Sequence, residues 1–176
     1  MLAERFLTLF HELHRPVAIA TSHSFDGRIA TENSLILLGH VRAIPGEAPL
    51  TAMFNFQYRW DEAKRAGLIV NTTPHPGEES VYVQTYRGLR YSVVDFLPRS
   101  GAQGNVVILF GSNVDATDAA AEFVTSETQM AHLYQLLRLR QGAPIPSFEL
   151  LLARPGHSEQ LATIVAYRCP AGTGRK

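Results

Sequence analysis

The chain has 176 residues, 45% of them apolar, and its 16 Lys and Arg balance 16 Asp and Glu. That length suits one domain burying roughly two thirds of its surface. The charge balance argues against a nucleic-acid partner, which usually meets a basic excess. The single cysteine, Cys169, excludes an internal disulfide and a Cys-rich metal site, and no apolar run approaches the roughly 20 residues of a membrane span. A cytoplasmic location is the expectation, with no metal and no identifiable cofactor.

Residues 1–14 read as a helix, because Leu2, Phe6, Phe10 and Leu13 recur at three- and four-residue intervals and Pro16 ends the pattern. His11 and His14 on it supply only two ligand-type side chains, which suits a solvated face better than a metal. Val17–Ala20 is expected as a short strand, Phe25-Asp26-Gly27 as a turn and Ser34–Leu38 as the first strong strand. Val41–Pro49 reads as a loop, with a helical turn over Leu50–Phe54. Phe56, Tyr58 and Trp60 then alternate with polar residues, as in a half-buried strand whose hairpin partner is Leu68–Asn71. Pro74-His75-Pro76-Gly77 is a rigid connector, with His75 expected in solvent. Val81, Val83 and Thr85 alternate again, and Leu89–Leu97 is a further β run.

Strand 105–110 (NVVILF) leads into helices at about 117–126 and 127–140. Asp115, Thr117 and Ser126 are candidate caps, since a short side-chain oxygen can accept from a free helix amide. Phe148–Ala153 and Leu161–Tyr167 form a hairpin around Arg154-Pro155-Gly156-His157, and residues 171–176 form a flexible tail. The expected fold is a single α/β domain over residues 1–170. Its mixed sheet has parallel core strands, 34–38 and 105–110, flanked by antiparallel hairpins, with helices packed on its faces.

Both core strands end in glycine followed by polar residues, which is how an open α/β sheet shapes a crevice at the carboxyl ends of its strands. The candidate ligand-binding residues are therefore Gly39, His40, Arg42, Gly111, Ser112, Asn113, Asp115 and Thr117. A glycine lets the backbone approach a ligand, the helix start offers free amides, and Arg42 could clamp an anion. The alternative is that Ser112, Asn113 and Asp115 only cap the helix and that Arg42 makes a surface ion pair. No phosphate-binding lysine loop, dinucleotide fingerprint, serine elbow or zinc-protease motif occurs, so no catalytic residue is assigned.

The order of Gly39 to Pro45, an aromatic hairpin, His75 to Glu78, "ILFGSNVDATDAAAEFVTS" through Ser126, and a last hairpin ending "VAYR" resembles a known pattern. It is similar to an uncharacterised bacterial α/β domain usually found C-terminal to DNA-binding or signalling modules in regulatory proteins. His40-Val41 departs from the small residue and proline that those relatives tend to carry. The functional expectation is a non-enzymatic module binding a small anionic or polar ligand. The alternatives are a small-molecule enzyme and a self-associating domain. A homodimer through the aromatic hairpin of Phe54, Phe56, Tyr58 and Trp60 is expected as well.

Overall fold

Alternating apolar residues on one strand can face two different cores, and here they do. The structure, a computed structural model, describes residues 2–21, 23–24, 32–39, 54–84, 88–98, 104–140, 142–156 and 160–169. Its elements are α1 (Leu2–Glu12), β1 (Leu35–Leu38), β2 (Phe56–Asp61), β3 (Ala66–Asn71), β4 (Val81–Val83), β5 (Leu89–Leu97), β6 (Val106–Gly111), α2 (Val114–Thr125), α3 (Glu127–Leu136), β7 (Phe148–Pro155) and β8 (Thr163–Arg168). A five-stranded sheet has the order β1-β6-β5-β7-β8, and a three-stranded antiparallel sheet has the order β2-β3-β4. Within the larger sheet β1 and β6 are parallel, with Leu35 opposite Val106, and the remaining pairs are antiparallel.

The side-chain period of two assigns each residue of the larger sheet to a face. Val94, Phe96, Leu109, Leu150 and Leu152 meet Phe6 of α1, the Ala119-Ala120-Ala121 run and Phe123 of α2, and Leu133 of α3. The alanines let α2 lie close against the strands. On the other face Val93, Val106, Ile108, Phe110, Leu151 and Ala166 meet Phe54, Phe56, Ile69 and Tyr82 of the smaller sheet. The molecule is thus three layers deep: helices, mixed sheet, small sheet. Each fully buried large side chain, such as Phe56 or Phe123, contributes about 1.5–3 kcal/mol relative to exposure.

The mixed α/β class is as expected, and so is the parallel pair. Its position is not. β5 occupies the centre, while β1 lies at an edge of the described sheet and exposes Leu38. The reason is length: β1 has four residues, whereas β5 and β7 have nine and eight and cross both cores. The run Leu35–Leu37 is apolar because Ile36 faces the helices and Leu35 and Leu37 face the small sheet. Val17–Ala20 forms no strand and is exposed. Helix α2 starts at Val114 because Asn113 is its cap, and Ser126 both ends α2 and caps α3. Of the aromatic hairpin, Phe54 and Phe56 are core residues, and only Trp60 is largely exposed. The expected turn at 25–27, the loop at 41–49, the helical turn from residue 50 and the tail at 171–176 lie outside the described residues.

Candidate functional site

The parallel register brings Gly39 and Gly111 to the same end of the sheet, where Gly39 N donates to Leu109 O at 2.8 Å. Gly39 adopts a left-handed φ of 98°, which favours glycine, and nothing lies within 4 Å of where its Cβ would be. Gly111 is glycine for a packing reason. A Cβ there would stand 2.6 Å from both Ala116 Cβ and Thr117 N, so the missing side chain admits the start of α2. Asn113 Oδ1 accepts from Ala116 N at 2.8 Å, and the Thr117 hydroxyl donates back to Asn113 O at 3.1 Å. Asp115 pairs with Arg90 at 2.7 Å. Ser112 is buried beneath Gly67 of β3, whose Cβ would meet the Ser112 carbonyl. His40 and Arg42, the other two candidates, lie outside the described residues.

A denser polar group occurs elsewhere, on the face covered by the small sheet. Asp95 of β5 stands directly opposite Glu149 of β7, and Glu149 directly opposite Arg168 of β8. One charged residue from each of three adjacent strands therefore forms a row across the sheet. The row passes through Ile108 of β6, three residues before Gly111, so it lies about 10 Å from the glycine turns along the strand and toward the other sheet edge. Glu149 Oε2 accepts from the amides of Asn55 at 2.6 Å and Phe56 at 3.1 Å, which ties the start of β2 to β7. Asn55 Nδ2 donates to Asn71 Oδ1 at 2.7 Å, and Asn71 Nδ2 donates to Glu78 Oε2 at 2.9 Å. The Arg168 fork closes the network. Nη1 donates to Glu78 Oε1 at 2.9 Å, Nη2 donates to Glu78 Oε2 and the Thr73 carbonyl, and the guanidinium stacks over the Phe56 ring at 5.2 Å.

Local sequence explains the connector that delivers Glu78. Pro76 and Gly77, the latter at φ 88°, occupy the middle of a turn closed by Glu78 N donating to His75 O at 3.0 Å. Proline sets the first central dihedral of such a turn, and glycine supplies the left-handed second. The turn points the Glu78 carboxylate back at His75 N and Arg168.

Electrostatics separate the three carboxyls. Hydrogen bonding to Arg168, aided by His75 N and Asn71, holds Glu78 down at about 2 despite its partial burial. Burial pushes Glu149 up, although the two amides and Arg168 oppose that shift. Burial and the adjacent Glu149 push Asp95 well above the usual carboxylate range. Among the described residues Asp95 Oδ1, Arg168 Nε and, at the glycine turn, Ser112 Oγ are buried without a hydrogen-bond partner.

Glu78, Glu149 and Arg168, but not Asp95, border an open cleft of about 800 Å³ between the two sheets. Phe54, Asn55 and Gln57 form one wall, Thr72, Thr73, His75 and Glu78 another, and Glu149 and Val165–Cys169 the third. Among the described residues no three His, Cys, Asp or Glu side chains cluster as metal ligands, and no helix is long and apolar enough to cross a membrane. His14, beyond the end of α1, has a left-handed φ of 52°, so it does not share a helix face with His11. Sequence reasoning passed over Asp95, Glu149 and Arg168. A signal existed: each of the two acids sits inside an otherwise apolar strand, in SVVDFL and FELLLA, where an ionisable group is expensive to bury.

Comparison with known proteins yields no matching family model, no matching curated protein and no matching solved structure.

Proposed function

We propose that the chain is a non-enzymatic module that binds a small polar molecule in the cleft between its two sheets. The observation that carries this reading is Glu149, a carboxyl almost wholly buried and anchored on one oxygen, yet part of the cleft wall. A buried ionisable group that still borders a concave polar site is a common mark of ligand recognition. The volume suits a small metabolite, and the asparagine and threonine groups nearby are held by the network rather than by solvent. The Gly111 turn is the weaker location, because Asn113, Thr117 and Asp115 already serve the helix start and Arg90.

Binding without turnover fits the side chains at hand. Cys169 borders the cleft, but burial pushes its thiol up, away from the reactive thiolate. The enzyme reading draws on the raised carboxyl of Glu149, which would suit proton transfer. Conversion of a bound compound, followed by mass spectrometry, would replace the first reading with the second. A cytoplasmic location, kinship with the bacterial domain it resembles and a homodimer through exposed Trp60 belong to the same proposal. Light scattering at high concentration tests the dimer, and a monomer there removes it.

A thermal-shift screen of small metabolites tests the binding site. Val165 lies exposed on the cleft rim, and Val165→Trp should fill the mouth and abolish binding of any hit while leaving the fold intact. Arg90→Ala, at the glycine turn, should leave binding unchanged. A hit that is indifferent to Val165→Trp and lost with Arg90→Ala places the site at the turn and overturns the reading.

A further inference from the structure

We infer that the cleft selects a cation, a small molecule whose ammonium or guanidinium group pairs with Glu149. This rests on the cleft being the binding site and adds the chemical class of its ligand. Charge bookkeeping leads there. Glu78 and Arg168 neutralise each other through a two-pronged ion pair. Asp95 sits behind Glu149, and burial beside that second carboxyl favours its neutral form. Glu149 is then left as a carboxylate without a dedicated cation, its Oε2 already holding two amides. A carboxylate taken out of water gains most from a charged donor, whereas an anionic ligand would face a like charge in a poorly screened site.

Two further observations point the same way. Glu149 is only 2% exposed and still forms part of the cleft wall, so what little of it is accessible faces the space where a ligand would sit. Among the described residues the walls also hold no lysine, and their one arginine, Arg168, is already engaged by Glu78. The titratable groups facing Glu149 are Glu78 and His75 on the β3–β4 connector, Arg168, Tyr167 and Cys169 on and after β8, and Asp95 on β5. The described residues of β2 that line the cleft add none.

Butylamine, agmatine, butanol and butyrate, matched in chain length, are suitable probes, followed through backbone amide NMR shifts up to roughly 50 mM, a range that captures weak fragments. Both cations should move the amides of Asn55, Thr73 and Arg168, and butyrate should not. Affinity should fall as the pH drops through the raised Glu149 titration, because protonation removes the charge. Glu149→Gln should weaken the cations by about tenfold or more, since a charge-assisted hydrogen bond is lost, while its side-chain carbonyl can still accept both amides. Asp95→Asn should stay within about twofold, because Asp95 is not part of the cleft wall. If Glu149→Gln fails to fold, Val165→Lys at the exposed rim makes the same test by placing a competing cation at the mouth. It should weaken the amines and leave butanol alone. Butyrate binding in the cleft with no response to the amines overturns the cation and leaves the cleft standing. Folded Glu149→Gln with unchanged amine affinity does the same. Silence of the cleft amides toward all four probes overturns the cation and the cleft together.

Discussion

At the Gly111 turn the bonds are mostly short in sequence: Asn113 caps an amide three residues on, and Thr117 donates to a carbonyl four residues back. Across the cleft, Glu149 holds an amide 94 residues away and Arg168 a carboxylate 90 residues away. The first region is a stop and a start of local structure that happens to be polar. In the second, the bonds of Glu149 and Arg168 join distant segments and form only when the small sheet docks on the large one. The contrast separates side chains that shape one stretch of chain from side chains that join the layers. Capping and anion binding draw on the same free amides of a helix start, and here the chain's own Asn113 takes one of them.

The comparison breaks most visibly at Gly111. Gly111→Ala forces a methyl group into the start of α2 and should destabilise the fold by about 3 kcal/mol in urea titration, without altering cleft ligands in whatever fraction stays folded. A neutral substitution there would mean that the helix start is loose enough to hold a ligand after all.

Glu78→Gln probes the opposite region. It leaves Arg168 largely buried beside Phe56 without its carboxylate, and about 2 kcal/mol should be lost, less than for a wholly buried pair because both side chains keep some solvent contact. The pH response carries the sign. A carboxyl held at about 2, below its ordinary 4.5, contributes stability that is fully present above 4.5 and disappears as the pH falls toward 2. Acid titration of stability should therefore be steep over that window in the natural protein and flatter in the variant.

Asp95 predicts the reverse slope. Its folded carboxyl is raised, so the stability it contributes is complete below the ordinary Asp range and declines as the pH rises, because the unfolded chain releases a proton that the folded one keeps. As the pH rises past that range the natural protein should lose about 1.4 kcal/mol per pH unit for each proton that only the folded chain holds, and the raised Glu149 adds to the same trend. Asp95→Asn should remove its share of that slope in chemical denaturation at several pH values. An unchanged slope would place the proton elsewhere.

The smallest effects belong to the caps. Asn113→Ala should cost about 1 kcal/mol, and Ser126→Ala, whose bond to Gln129 N is a long 3.4 Å, about 0.5 kcal/mol. Neither should change binding in the cleft, and a cap variant that did so would join the two regions that the structure keeps apart.

Much of the architecture was readable without coordinates because it rests on short-range patterns. The alternation in β2, the turn residues at 74–77, the glycine that ends β6 and the runs of β5 and β7 each reflect backbone sterics or the two-residue period of a strand. Even the parallel pairing of β1 with β6 followed from unbroken apolar runs. Strand order did not. That β5 rather than the parallel pair holds the centre, and that Phe54 and Phe56 are core while Trp60 is exposed, depends on how much apolar area each arrangement removes from water, summed over distant segments. The cleft is the extreme case. Asp95, Glu149 and Arg168 could be marked in the sequence as charges in apolar strands, but their alignment in one row requires two strand registers. The Glu78 that pairs with Arg168 arrives on a connector from the other sheet. Residue types and local dihedrals are carried by neighbouring side chains; which charge meets which across ninety residues is settled only when the layers pack and water is expelled between them.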